Sequence, residues 1–363
     1  MRVALITNYL TGYRIPLYER LSSRLGVEVL CFGGEGRYVP EWFADLDRQL
    51  DAAPFPARRI SGGRELLGLG RTYDAVIAPF AGGGALPAAF IGAKRHRRPF
   101  VLWASIWAQP RSLRHALALP ASRYIYRHAD AVIAYGPHAK RFIAPFRADP
   151  SDVFVAPQSV EPELFGRSVS NAEIGAFRRA HGLPDGPLVL YSGRLVPEKG
   201  ISVLLDAWPR LGAPATLVLA GDGPLAARAR ATDRVAWLGP VAREELPVAY
   251  AASAFAVLPS IPTALFREPW GLVCNEAMHQ GRPVIATTAV GAAAGGLVRD
   301  METGLVTRPG DAGALTSTIA RLLADDALRA RLGGAARMAV AAYTYDAMAN
   351  AFAAALERAC SSR

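Results

Sequence analysis

Two carboxylates, Glu268 and Glu276, stand eight positions apart in the stretch Glu-Pro-Trp-Gly-Leu-Val-Cys-Asn-Glu. A Pro-Trp-Gly break follows the first, and the apolar run after it has the pattern of a starting helix. A helix opened by Gly271 leaves the backbone N–H groups of Gly271, Leu272 and Val273 without intrahelical partners, which makes an anion site. One helical turn rises about 5.4 Å, so Glu268 lies before this site and Glu276 roughly a turn and a half into the helix. A phosphate between two hydroxyl-accepting carboxylates matches a nucleotide sugar, with sugar on one side and ribose on the other.

A second cluster lies upstream in Val-Leu-Tyr-Ser-Gly-Arg-Leu-Val-Pro-Glu-Lys-Gly, residues 189–200. An apolar strand runs into Gly193 and Arg194, and Lys199 stands at the mouth of the next helix. The chain has three lysines (Lys94, Lys140, Lys199) against 38 arginines, so a lysine here is not background usage. Two cations at the carboxyl end of a parallel strand suit a diphosphate.

The elements that must hold these residues follow from periodicity. Short apolar runs alternate with helical patterns, the signature of parallel α/β sheets. Strands are expected at Val3–Thr7, Val27–Phe32, Ala75–Ala78, Phe100–Ala104, Ala131–Tyr135 and Val153–Ala156 in the first half. The second half offers Leu188–Tyr191, Thr216–Ala220, Val235–Leu238, Ala254–Leu258 and Val284–Ala286. Ile15–Leu25 and Leu113–Arg127 read as helices, and Tyr345 to Arg358 as an amphipathic one. Gln158–Pro187, rich in Pro, Gly and Ser, is the expected hinge. The domains are then residues 1–165, binding acceptor, and 166–344, binding donor: two doubly wound sheets facing a cleft. Gly291–Gly296 reads as a flexible loop near it.

The two clusters together resemble the retaining family 4 glycosyltransferases of the GT-B fold. Their Glu–seven residues–Glu motif follows a Gly-Arg…Lys-Gly segment, as here. Between the two stand a Gly-Asp-Gly-Pro turn, Gly221 to Pro224, and a Leu-Gly-x-Val segment, Leu238 to Val241. Gly304-Leu305-Val306 and Pro309-Gly310-Asp311 match the family's downstream ending. The resemblance is dense over 187–340 and loose before it. It implies that Arg194 and Lys199 hold the donor diphosphate with Gly193, and that Glu268 meets the donor sugar. It implies that the Gly271–Val273 amides hold the distal phosphate, Glu276 the ribose and Val241 the base. It also implies retention of configuration and a final helix that returns to the first domain.

A metal is not expected. Asp45-Leu46-Asp47 has the spelling of a metal motif but reads as a solvated helix face, and the two cations with the helix N-terminus can meet the leaving charge. Cys31, Cys274 and Cys360 give neither metal spacing nor a disulfide framework, which points to a reducing, cytoplasmic setting. The first residues read as a strand and not a signal peptide. Residues 75–93 carry no charge, but Pro79, Gly82 to Gly84 and Pro87 break them, so a strand, a glycine loop and a helix start are expected rather than a membrane span.

Net charge is +10. Residues 1–165 hold 21 Lys/Arg against 14 Asp/Glu, a balance of +7. The sharpest patch is Lys94-Arg95-His96-Arg97-Arg98, with Arg111, Arg114, Arg123 and Arg127 beyond it. Such a patch suits anionic lipid, through peripheral contact with a membrane, or a phosphorylated acceptor; a solvated basic surface is the plainer reading. Nucleic acid is not expected, because no binding motif accompanies the charge.

The acceptor side is less legible. The family's histidine after the fifth strand is absent from Ala104-Ser105-Ile106-Trp107-Ala108. Ser105 and Trp107 are candidate contacts, and Trp107 reads equally as a sugar platform or a packed core side chain. His138 and the Gly82–Gly84 run are further acceptor candidates; Gly12 is a donor-side candidate, since glycine permits close approach of backbone to phosphate, and Arg14 is a candidate for donor or acceptor charge. The expectation is a metal-independent hexosyltransferase using a nucleotide sugar donor and a hydroxyl acceptor: a lipid-linked glycan, a polysaccharide or a small glycoside. A sugar-nucleotide epimerase of the same fold and a catalytically silent nucleotide-sugar-binding partner are the alternatives.

Overall fold

The computed structural model describes residues 1–32, 45–80 and 84–361. The chain forms two compact units, Met1–Gln158 with Tyr345–Arg363, and Ser159–Thr344. Residues 159–165, given to the first domain on composition, belong to the second unit. Phe165 packs on Tyr250 with ring centroids 6.5 Å apart, and Gln280 Nε2 donates to the Phe165 carbonyl at 2.5 Å.

The first unit is built on seven strands: β1 (Val3–Thr7), β2 (Val27–Cys31), β3 (Ala57–Arg59), β4 (Ala75–Pro79), β5 (Phe100–Ala104), β6 (Ala131–Ala134) and β7 (Val153–Val155). They pair in parallel in the order β3-β2-β1-β4-β5-β6-β7. Alternate residues of a strand face opposite sides of its sheet. Val3, Leu5, Ile77, Val101, Trp103 and Ile133 accordingly share one core with the helices Ile15–Leu25 and Tyr345–Ser361. Ala4, Ile6, Val76, Leu102 and Val132 share the other with Leu66, Phe90 and Tyr126. Burial on both faces is why these strands read as unbroken apolar runs.

The second unit has six parallel strands: β8 (Leu188–Ser192), β9 (Thr216–Ala220), β10 (Val235–Gly239), β11 (Phe255–Leu258), β12 (Val284–Thr287) and β13 (Gly304–Thr307). Their order is β10-β9-β8-β11-β12-β13. Both units are Rossmann-like, doubly wound parallel sheets, as the alternation predicts. The winding reverses between β1 and β4 in the first and between β8 and β11 in the second. In such sheets ligands settle beyond the carboxyl ends of the strands flanking the reversal.

The strands expected from sequence end within a residue of the observed ones. The reading missed β3 and β13, short edge strands of three and four residues. The first is Ala-Arg-Arg and the second begins with glycine, so neither carries a strand's apolar signal.

The helix Tyr345–Ser361 closes one core of the first unit, with Phe352 edge-on to Trp103 at 5.1 Å. Removing that ring leaves a cavity beneath the sheet. Phe352→Ala should cost about 3–5 kcal/mol in denaturant unfolding. A loss under about 1 kcal/mol would show that this helix does not complete the core.

Candidate functional site

The loop leaving β8 is pinned by its neighbour. Gly193 N donates to the Ala220 carbonyl at 2.9 Å, and Leu195 N to that of Asp222 at 2.8 Å. The chain then makes a single turn, Pro197–Lys199, and enters the helix Ile201–Ala207 through Gly200. Gly200 has φ +73° and lies so close to Pro259 that any Cβ would overlap the Pro259 carbonyl. Ile261 N donates to the Glu198 carbonyl at 3.0 Å. These contacts press the lysine turn after β8 against the segment after β11, on either side of the reversal.

The side chains meet there. Lys199 Nζ forms an ion pair with Glu268 Oε2, and both groups are largely shielded from solvent. Ser260 Oγ donates to the same carboxylate oxygen at 3.0 Å. The Phe266 ring lies 5.8 Å from the ammonium. Arg194 is accessible, its guanidinium 3.9 Å from Glu198, while its carbonyl accepts the Tyr191 hydroxyl at 2.7 Å.

The Pro-Trp-Gly break is a rigid corner. Glu268 bridges to Val290, and its carbonyl accepts from Gly291 N at 3.1 Å. Ala292 N donates to the Trp270 carbonyl at 2.7 Å, and the Trp270 indole to Asn275 Oδ1 at 2.7 Å. Gly291–Ala294 is thus a helical turn packed on the corner, which corrects the expectation of a flexible loop over Gly291–Gly296. Its alanines and glycines look unstructured by composition, but the corner's carbonyls supply acceptors that order them.

Gly271 caps the helix Leu272–His279 with φ +92°, and a Cβ there would strike Leu258. Leu272 and Val273 form the first turn, whose N–H groups have no intrahelical acceptor. Glu276 follows on the same helix and accepts the Tyr250 hydroxyl at 2.7 Å. Burial raises its pKa above the ordinary carboxylate range, opposed by the Tyr250 hydrogen bond and the charge of Arg243. Burial likewise pushes up the Cys274 thiol, helped by Glu268 and Glu276 and opposed by Lys199. Val241, half-buried, follows β10.

The first unit places its candidates differently. Trp107, after β5, meets His138 edge-on with centroids 5.3 Å apart, and His138 is buried on the helix Pro137–Ile143 that follows β6. Ser105, two residues before Trp107, is half-buried, and Gly12 opens a single turn after β1 with no atom near its absent Cβ. Arg14 needs a correction: it is buried, not presented to substrate. Its guanidinium donates to Gln158 Oε1 at 2.6 Å and lies 5.0–5.3 Å from the Tyr13, Trp103 and Tyr135 rings. Gly82 and Gly83 lie outside the described residues. Asp45 caps the helix Leu46–Asp51, and Asp47 pairs with Arg59 at 2.8 Å.

Sequence reasoning missed Ser260, Tyr250 and Tyr191. Ser260 stands two residues past β11, as Gly193 stands just past β8, so its place at the carboxyl edge was the available signal. Tyr191 stands inside the Gly193–Gly200 cluster's own strand and bonds the Arg194 carbonyl three residues on, whereas Tyr250 reaches Glu276 from another helix and nothing local marks it.

Residues 186–325 match the family model for Glycosyl transferases group 1. A D-inositol 3-phosphate glycosyltransferase of Stackebrandtia nassauensis is 34% identical over 223 residues, covering 55% of this chain and 47% of that one. The chain spans about half the length of the curated relatives it matches first. Anabaena HepE, solved with UDP, aligns over 98% of this chain and 100% of its own at a TM-score of 0.80 and 21% identity. The same protein has been solved with UDP-glucose, where the TM-score is 0.78 and the identity 22%, over 98% and 99% of the two chains. A glycosyltransferase from Rickettsia africae aligns over 99% and 98% at a TM-score of 0.78 and 15% identity. These are likenesses of fold. The two parallel-sheet units have the GT-B fold of these neighbours, and residues 186–325 of the second are similar to the group 1 glycosyl transferases.

Proposed function

We propose that this chain is a retaining, metal-independent glycosyltransferase that moves a hexose from a nucleoside-diphosphate sugar to a hydroxyl acceptor. One observation carries the reading. Arg194 and Lys199 follow β8, while Glu268 and the helix Leu272–His279, which carries Glu276, follow β11, and these two strands flank the topological reversal of one sheet. The Glu–seven residues–Glu pattern of the family 4 enzymes supports the same roles.

The diphosphate leaves with growing negative charge. Lys199 and Arg194 would meet it, with the Gly271–Val273 amides on the distal phosphate. Lys199 already sits on Glu268, so the diphosphate would share the ammonium and free part of that carboxylate for the sugar hydroxyls. Glu276 would accept the ribose hydroxyls. The acceptor oxygen bonds to the anomeric carbon on the face the diphosphate leaves. The bond to the diphosphate oxygen breaks, and that oxygen takes the acceptor's proton. A covalent sugar trapped on Glu268 would contradict this front-face route. The acceptor is a lipid-linked glycan, a polysaccharide or a small glycoside, and Ser105 and Trp107 are its candidate contacts. The UDP complexes of HepE make UDP sugars the first donors to try.

The test is a thermal-shift panel of UDP, GDP, ADP and dTDP sugars in excess chelator. One nucleotide class should raise the Tm, with binding at a hundred times Kd adding about 2.7 kcal/mol. Lys199→Ala should abolish the shift. No shift with any nucleotide would contradict the donor site and favour a catalytically silent partner that only scaffolds, and turnover of donor without acceptor an epimerase. Glu276→Ala should weaken nucleotide binding about 10–100-fold, as loss of hydrogen bonds to a charged group implies. Glu268→Ala should lower turnover by about 10²-fold with nucleotide affinity nearly unchanged. Equal, negligible effects of the two would overturn the assignment.

Glu276 also predicts a pH dependence. Its folded pKa is raised, so between the ordinary carboxylate range and that raised value the folded state holds more protons than the unfolded. Stability therefore falls as pH rises through this window, and the cost persists above it. Glu276→Gln keeps the hydrogen bond from Tyr250 and removes the charge. It should melt higher than the parent at pH 7, with the gain shrinking as pH falls toward about 4. Parallel melting curves for the two proteins across that range would contradict a strained carboxylate.

A further inference from the structure

We propose that the face of the first unit formed by the helices Ala85–Arg95 and Leu113–His128 docks on an anionic lipid bilayer. The inference does not rest on the donor site.

Leu113, Leu117 and Tyr124 are 79%, 75% and 58% exposed, and Ile91 on the neighbouring helix 51%. At about 100° per residue, Leu113, Leu117, Pro120 and Tyr124 fall within an arc of roughly 60°. Ile125 and Tyr126, which turn into the core, lie on the other side of the helix. The apolar stripe thus points away from the protein interior. The two helices are continuous at this surface, since Tyr124 meets Phe90 edge-on at 6.1 Å.

Charge identifies the occupant. Residues 75–129 contain no Asp or Glu and eight Lys or Arg. Arg111, Arg114, Arg123 and Arg127 flank the stripe and Arg95 and Arg97 extend it, all exposed. Lys94 and Arg98 pair with Asp130 and Asp74, at 2.7 and 3.3 Å, where the acidic sequence resumes. Exposed leucines rimmed by arginines, with no carboxylate among them, complement an interface of acyl chains beneath anionic headgroups. A hydrophilic partner would leave the leucines unused, and a second copy of the same face would set arginine against arginine. Among the described residues no helix is long and apolar enough to cross a membrane, so the contact is peripheral.

The test is co-sedimentation of the full chain with vesicles of phosphatidylcholine alone or with phosphatidylglycerol added. The protein should pellet with the anionic vesicles only, and raised salt should release it. Leu113→Ser with Leu117→Ser, and separately Arg111→Glu with Arg114→Glu, should each cut binding about tenfold. Both pairs should leave the Tm and the nucleotide response unchanged, since the residues are exposed and outside the donor site. Failure to pellet with anionic vesicles, or binding indifferent to both pairs, would overturn the proposal. A dimer in sedimentation velocity that the leucine pair dissolves would assign the face to a second copy instead.

Discussion

Everything in the second unit's site depends on backbone passing against backbone where no side chain fits. Gly200 lies on the Pro259 carbonyl, Gly221 on that of Gly193, and Gly291 on that of Pro269. Each contact joins loops that leave different strands: Gly200 on Pro259 brings together the segments after β8 and β11, and the other two hold those segments against the loops after β9 and β12. Lys199 and Glu268, 69 residues apart, meet because of it. The backbone here is held by its own close contacts and hydrogen bonds. Cationic and N–H groups held in that way stabilise developing charge without reorganising.

That arrangement carries an electrostatic cost. Glu268 and Lys199 are drawn out of solvent, and a partly buried carboxylate is tolerable only with a partner. Lys199 and Ser260 supply it. Glu276, on the same helix, has Tyr250 as hydrogen-bond partner and no close ion pair among the described residues, and its protonation equilibrium is displaced upward. Groups held in unfavourable electrostatic states at a strand-end site are a mark of function more than of folding. Arg14 in the first unit is the opposite case. Three aromatic faces and Gln158 enclose it, and its cation contributes packing inside the core.

Much of this was legible in sequence, for definable reasons. A strand buried on both faces is an unbroken apolar run, so the central strands stand out, while β3 and β13 at the edges carry too little apolar pattern. The Glu268–Glu276 spacing and the Gly193–Gly200 segment are local signals, and local signals survive without the fold. Arg14 misled because a cation after the first strand of a Rossmann-like sheet looks available, and only tertiary structure brings Trp103 and Tyr135 around it. Gly291–Ala294 misled because its order comes from hydrogen bonds to Glu268 and Trp270, which composition does not report. Trp107 and His138 were separate candidates in sequence, and parallel neighbours β5 and β6 bring their rings together.

The most direct measurement is a crystal structure of the chain with a UDP sugar bound in the presence of chelator. The account predicts the diphosphate within hydrogen-bonding distance of Lys199 Nζ, the Arg194 guanidinium and the Gly271–Val273 amides, with the ribose on Glu276. A diphosphate bound away from these groups, or held to the protein only through a metal ion, would contradict it.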